Sequence, residues 1–247
     1  MTYDLSRLEL FDTPTICNAL EVIEPERRRF GYTVENVLCL NADVGPRVGI
    51  ALTATMRSAG PPPITGDELK AERLKYYEYM HQDVGGPKVC VMQDLDGSEA
   101  ARGPFWGEFN VRIHRSMDFR AIVTDGSVRD ATKLPNDILI VSRGLRPSHA
   151  YVHIVDFGKQ VTIFGMTVMP GDVVHADIHG AVSFPAQLAA DVEKKAIAFV
   201  AGEAPIIEAC RANRLTFEQL SALYMARPGI GQSPHASGSG TGERLED

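Results

Sequence analysis

Apolar residues recur at helical spacing through "DTPTICNALEVI" (12–23), where Asp12 or Thr13 can cap and Pro14 suits a first turn. A second run, 65–82, sets Leu69, Leu74, Tyr77 and Met80 against a polar face and predicts a long helix. Residues 105–116, after Gly103-Pro104, read as another helix. Between these lie short segments rich in β-branched and apolar residues, punctuated by Gly and Pro, which predict strands. They fall at 48–58, 88–93, 120–125, 137–144, 150–157, 160–165 and 172–185, and 94–104 reads as a loop. Helical patterns return at 186–204, 205–213 and 216–226. Mixed strands and helices without an internal repeat predict an α/β domain over residues 1–227. From Pro228 the chain turns Gly/Ser-rich and loses apolar anchors, so 228–247 is expected to be a disordered tail.

Composition narrows the functional classes. At 247 residues the chain can bury a full core, and 44% hydrophobic with 23% charged residues is ordinary for a globular protein. A net charge of −7, with "PERRRF" the densest basic cluster, argues against a nucleic-acid partner. The four cysteines are far apart and lack a CxxC, so neither a zinc ribbon nor a disulfide framework is expected. Each sits among apolar residues and reads as a buried, reduced thiol. "MTYDLSRLEL" lacks the basic-then-apolar layout of a leader, and no apolar run approaches the ~18 residues of a membrane span. A cytoplasmic protein with no membrane partner is the expectation.

Three stretches carry candidate chemistry. In "GPFWGEFN" (103–110), glycines allow close approach, and a helix starting near Gly107 would turn free N–H groups toward an anion, with Glu108 beside them. The same pattern suits an ordinary loop. In "AIVTDGSVRD" (121–130), an apolar strand ends at Asp125-Gly126, and Arg129 and Asp130 follow side by side. Asp130 is a hard oxygen ligand suited to Mg²⁺ or Mn²⁺, and Arg129 a fork for a carboxylate. An Arg–Asp pair bridging two elements, or a solvated surface turn, fits equally well. In "HADIHG" (175–180), His175, Asp177 and His179 alternate, but on one straight strand the histidines start roughly 13 Å apart, too far to share an ion. His149 and His153 can titrate near neutrality, yet no partner for either is legible. Neither a GxSxG elbow nor a glycine-rich nucleotide-binding turn is present.

Taken together, "WGEFNVRIHRSMDFRAIVTDGSVRD" and "MPGDVVHADIHGAVSFP" resemble the RraA-like family, which joins regulators of ribonuclease E activity to class II 4-hydroxy-4-methyl-2-oxoglutarate aldolases. The resemblance runs from about Thr13 to the C-terminal helices, and segments 66–97 and 146–158 are similar to a longer branch of that family. It implies a swivelling β/β/α (phosphohistidine-domain-like) α/β fold with C-terminal helices. It also implies a homotrimer or homohexamer with sites between subunits. By the same resemblance, Asp130 holds Mg²⁺ or Mn²⁺, Arg129 contacts the pyruvoyl group of a 2-oxo acid, and backbone N–H groups around Gly107, Phe109 and Asn110 receive its carboxylate. Glu108 matches an acid that orients water. The implied activity is a metal-dependent carbon–carbon lyase, cleaving 4-hydroxy-2-oxo acids or decarboxylating oxaloacetate.

One position departs from the aldolases, which carry an acid three residues after the metal aspartate. Here it is Lys133, and Asp137 lies four further on. That departure favours decarboxylation over aldol cleavage unless Glu203 or Glu208 of a neighbouring subunit supplies the base. The alternative expectation is a non-catalytic regulator that binds a ribonuclease. A methyltransferase would need a glycine-rich adenosyl loop, which is missing.

Overall fold

The computed structural model describes residues 4–211 and 215–227. Asp12 opens α1 (Thr13–Ile23) by accepting the Thr15 N–H through its side chain, with Pro14 in the first turn, as the sequence predicts. The chain then lays down β1 (Leu38–Leu40) and the long β2 (Arg47–Arg57), and crosses through α2 (Gly66–His81) to β3 (Lys88–Asp94). A second crossover through α3 (Glu108–Ser116) leads to β4 (Phe119–Thr124). Two short strands, β5 (Ser127–Val128) and β7 (Gly144–Leu145), flank β6 (Leu139–Ser142). Next come β8 (His153–Phe157), the hairpin of β9 (Val161–Ile163) with β10 (Met166–Val168), and the hairpin of β11 (Val173–Asp177) with β12 (Gly180–Phe184).

The main sheet has eight strands in the order β1-β6-β4-β3-β2-β11-β12, with β8 also paired to β2. Strands β2, β3, β4 and β6 run parallel, and the flanking pairs are antiparallel. Alternation sorts the central strands onto two cores. Val89, Val91, Ala121, Val123, Leu139 and Val141 pack against the β9–β10 hairpin. Cys90, Met92, Ile122 and Ile140 face the other way, against Tyr76, Met80, Phe105, Trp106 and Val111 of the two crossovers. The result is the swivelling β/β/α fold that the family resemblance implies. Because the crossovers run to parallel strands, the loops that follow β2, β3, β4 and β6 collect at one edge of the sheet.

Several elements differ from the sequence reading. The 105–116 helix begins only at Glu108, because Phe105 and Trp106 are buried as an extended lead-in. The 172–185 run is a hairpin rather than one strand, turning at Ile178-His179. On α2 the inward residues are Tyr76 and Met80, while Leu74 is exposed. The helices expected at 186–204 and 205–213 are one helix, α4 (Ala189–Arg211), which contains Pro205. By contacts the chain divides into two units, Met1–Ile197 and Ala198–Asp247, with the boundary inside α4. In the second unit, α5 (Phe217–Ala226) opens with a reciprocal Thr216–Gln219 capping box, and Arg227 pairs with Glu203. The tail expected at 228–247 lies outside the described residues.

Candidate active site

The first half of the site is built by the lead-in to α3. Gly103 passes so close to the 149–150 backbone that a Cβ would lie 2.2 Å from the His149 carbonyl oxygen, a spacing only glycine allows. Trp106 then bridges Val128, and its carbonyl accepts the Arg129 N–H at 2.9 Å. Gly107 caps α3 without a side-chain hydrogen bond. The first intrahelical bond is Val111 N–H to the Gly107 carbonyl, so the N–H groups of Glu108, Phe109 and Asn110 form the open first turn. That turn is braced from α2. The Asn110 side chain donates to the Phe105 carbonyl at 2.6 Å and accepts from the Tyr77 hydroxyl at 2.6 Å. Four residues on, His114 is fully buried. Its Nδ1 lies 2.7 Å from the Asn110 carbonyl, which can only accept, so Nε2 is the acceptor for the Tyr76 hydroxyl at 2.7 Å. Burial lowers the His114 pKa to about 4.

The second half follows β4. Asp130 occupies the left-handed region at φ 55°, which aspartate tolerates better than most residues, and a single helical turn over Ala131–Lys133 begins there. The Arg129 guanidinium lies 3.4 Å from the Asp130 carboxylate. Both side chains lie over Gly107: a Cβ there would sit 2.9 Å from Arg129 Cγ and 2.9 Å from Asp130 Oδ2. Thus Gly107, Arg129 and Asp130, some 20 residues apart in sequence, meet at one point. Arg129 and Asp130 also border a cleft of about 440 Å³ that Ala131, Leu145, Arg146 and Pro147 complete. Glu108 is turned along its helix to Arg112 at 2.9 Å, and Phe109 is largely exposed.

Asp125 is no surface turn, being only 7% exposed. Its carboxylate accepts the Asp94 N–H at 2.6 Å, Asp94 accepts from Asp96 and Ala101, and Asp96 accepts from Ser58 and Ala59. This ladder of acids ties together the chain leaving β2, β3 and β4. Burial, aided by the charge of Asp94, raises the Asp125 pKa to about 7.

Other candidates have structural partners. His175 is buried between the Thr13 hydroxyl and the Leu8 carbonyl, and Asp177 accepts the N–H groups of Thr13 and His179, so both fasten α1 to β11. Asp137 is taken by Arg115 at 2.6 Å and does not stand in for the acid missing at Lys133. Glu208 pairs with Arg211, as Glu203 does with Arg227. Of the cysteines only Cys90 is fully buried; Cys17 and Cys39 are half-buried and Cys210 is exposed on α4, so the expectation of four buried thiols fails. His149 lies near enough to the cleft to feel the charges of Arg129 and Asp130. Partial desolvation and the charge of Arg129 hold its imidazole below the ordinary value. Among the described residues no three His, Cys, Asp or Glu side chains converge as a metal cage. A single carboxylate beside an open cleft does fit Mg²⁺ or Mn²⁺, which keep most of their shell as water and substrate oxygens.

The chain matches the Aldolase/RraA family, described as RraA-like, over residues 13–183. It belongs to that family. The match spans every residue of the cleft. Among solved structures, an uncharacterized protein from Pseudomonas syringae pv. tomato is similar with a TM-score of 0.67 at 23% identity, covering 90% of this chain and 92% of that one. Streptomyces coelicolor RraAS2, described as an unusual member of the RNase ES inhibitor RraA family, gives 0.61 at 22%, covering 87% and 100%. A structure described as novel cellulases from gut-associated microbes gives 0.68 at 17%, covering 81% and 85%. At these identities the likeness is one of fold. No curated protein matches. The family contains class II aldolase-type enzymes as well as non-catalytic regulators. No helix among the described residues is long and apolar enough to cross a membrane.

Proposed function

We propose that this protein is a divalent-metal-dependent carbon–carbon lyase acting on 2-oxo acids, by aldol cleavage of 4-hydroxy-2-oxo acids or decarboxylation of oxaloacetate. The observation that carries the reading is the meeting of Arg129, Asp130 and the open first turn of α3 around Gly107. A fork-shaped cation, a hard oxygen ligand and free amides are what a 2-oxo carboxylate needs. In this reading the substrate carboxylate docks on the N–H groups of Phe109 and Asn110, and Arg129 donates to the keto oxygen. Mg²⁺ or Mn²⁺ held by Asp130 would supply Lewis-acid polarisation of the 2-oxo group.

In aldol cleavage the hydroxyl loses its proton, its oxygen pair forms the new carbonyl, and the C3–C4 bond breaks. The electron pair moves to the keto oxygen, where Arg129 meets the developing negative charge. Returning a proton to C3 completes pyruvate. In decarboxylation the departing group is CO₂ and no hydroxyl proton need be removed. Lys133 provides no base while protonated, so decarboxylation is the better served of the two. Glu108 reaches the substrate side only by exchanging its Arg112 partner. A homotrimer or homohexamer, with a neighbouring subunit closing the cleft, belongs to this reading.

The test is a pyruvate-release assay across branched 4-hydroxy-2-oxo acids and oxaloacetate, with Mg²⁺ or Mn²⁺ and with EDTA. Metal-dependent release supports the reading. Absence of release from every substrate at saturating metal would leave the regulator alternative, a protein that binds a ribonuclease without catalysis.

A further inference from the structure

The cleft carries a second arginine that the reaction does not use. Strands β5 and β7 run parallel in the register Ser127↔Gly144 and Val128↔Leu145, so the next residues in line are Arg129 and Arg146. The ladder continues to that point, because the Arg146 N–H donates to the Val128 carbonyl at 3.0 Å. Pro147 follows at once and disfavours helical backbone at Arg146, holding it extended beside its neighbour. Both arginines line the same cleft of about 440 Å³, together with Asp130 and Ala131.

Their partners differ. Arg129 has the Asp130 carboxylate at 3.4 Å, whereas the Arg146 side chain bonds only the Leu145 carbonyl, through Nη1 at 2.8 Å. No carboxylate lies within ion-pair distance of Arg146 among the described residues. The cleft therefore sets two guanidinium groups against one carboxylate. A bare 2-oxo monoacid satisfies Arg129 and the α3 amides and leaves Arg146 idle.

We propose that Arg146 is a specificity-determining residue, taking the distal carboxylate of a 2-oxo acid that carries a second acid group beyond the reacting end. The assignment rests on the reading above, in which the 2-oxo end docks at Arg129 and α3. Arg146 grips with a planar fork matched to a carboxylate, which lysine reproduces in charge and not in shape. In aldol cleavage the distal carboxylate keeps its charge throughout, so its contact stabilises ground and transition states alike and acts through KM.

The experiment compares the full chain with Arg146→Gln and Arg146→Lys. One arm measures metal-dependent pyruvate release from 4-hydroxy-4-methyl-2-oxoglutarate and from methyl-ended 4-hydroxy-2-oxopentanoate. The other measures calorimetric binding, with Mg²⁺, of 2-oxoglutarate and of 2-oxobutyrate, neither of which has the 4-hydroxyl needed for cleavage. The unmodified chain should prefer the two-carboxylate member of each pair by about 10–100-fold, the range for a hydrogen bond to a charged group. Arg146→Gln should erase most of that ratio, mainly through KM, and Arg146→Lys should restore part of it. A merely structural role would lower both members equally and leave the ratio intact, which overturns the proposal while the lyase reading stands. Should no variant release pyruvate from these substrates or from oxaloacetate, yet 2-oxoglutarate bind with an Arg146-dependent preference, the lyase reading falls and the carboxylate site stands. Binding ratios independent of Arg146 sink the proposal in either case.

Discussion

Gly107 lies directly beneath Asp130: the space a methyl group would occupy on the glycine is 2.9 Å from Asp130 Oδ2. The backbone there is extended, at φ −156°, a conformation any residue adopts. The glycine is thus required for space and not for backbone freedom. Gly107→Ala should fold with little loss of stability, because the displaced atoms belong to movable side chains. It should lower lyase turnover by about 10²-fold, the scale of a roughly 1 Å misplacement of reacting groups. Urea unfolding alongside steady-state kinetics separates the two effects, and a variant with full activity would show that Arg129 and Asp130 need not stay where they are.

Asp130→Asn removes a ligand charge at a position whose left-handed backbone asparagine also accepts. The fold should survive, and the Mg²⁺ or Mn²⁺ concentration needed for half-maximal activity should rise by about 10–100-fold. Unchanged metal dependence after chelation and reconstitution would move the metal elsewhere.

Arg129→Lys keeps the charge and loses the fork. Turnover should fall by about 10²-fold or more with KM little changed, because the oxygen charge that Arg129 meets develops only as the bond breaks. A change confined to KM would make Arg129 a binding group alone.

Lys133→Glu restores an acid where the aldolases carry one. Cleavage of 4-hydroxy-4-methyl-2-oxoglutarate should rise by about 10-fold or more relative to oxaloacetate decarboxylation. If the unmodified chain already cleaves efficiently and the variant does not improve on it, the base resides on another residue.

Two buried groups set opposite slopes of stability with pH. The Asp125 pKa rises from 3.8 to about 7 on folding, so the native state holds the extra proton and stability falls as pH climbs through that window. The His114 pKa drops from 6.5 to about 4, so the unfolded state holds the extra proton and stability rises with pH across that range. Between about 4 and 6.5 the two oppose each other, with burial raising Asp94 in the sense of Asp125 and lowering His175 in the sense of His114. Asp125→Asn should therefore unmask a stability that increases with pH over this interval, read from urea midpoints at successive pH values. A flat profile in the variant would mean that His114 and His175 do not titrate as their burial requires.

Much of this was legible in the amino-acid order, and the failures have physical causes. The capped start of α1 and the β4 run into Asp125-Gly126 follow from local chemistry, and the structure has them as read. The juxtaposition of Gly107 with Arg129 and Asp130 came from resemblance alone, since no local rule measures how near two loops pass. Arg146 went unread because β5 and β7 are two-residue strands, too short for alternation to betray their register. Likewise Tyr76 was missed because it falls off the apolar face read for α2, and Tyr77 was read as apolar packing rather than as a donor, while both hydroxyls face α3. Asp125 looked like a turn residue because burial of a carboxylate depends on the amides of Asp94 and its neighbours, which sequence spacing does not bring near.

Helix α2 belongs to a segment that resembles a longer branch of the family, and such additions are often thought of as accessories that engineering can trim. Here the splice would go through the domain's internal wiring. Tyr77 satisfies the Asn110 side-chain oxygen and Tyr76 satisfies His114 Nε2, so excising residues 66–81 would orphan two acceptors, one of them fully buried. It would also strip Met80 and the Tyr76 ring from the core beneath α3. A minimised version of this protein needs replacement donors before it can lose the helix.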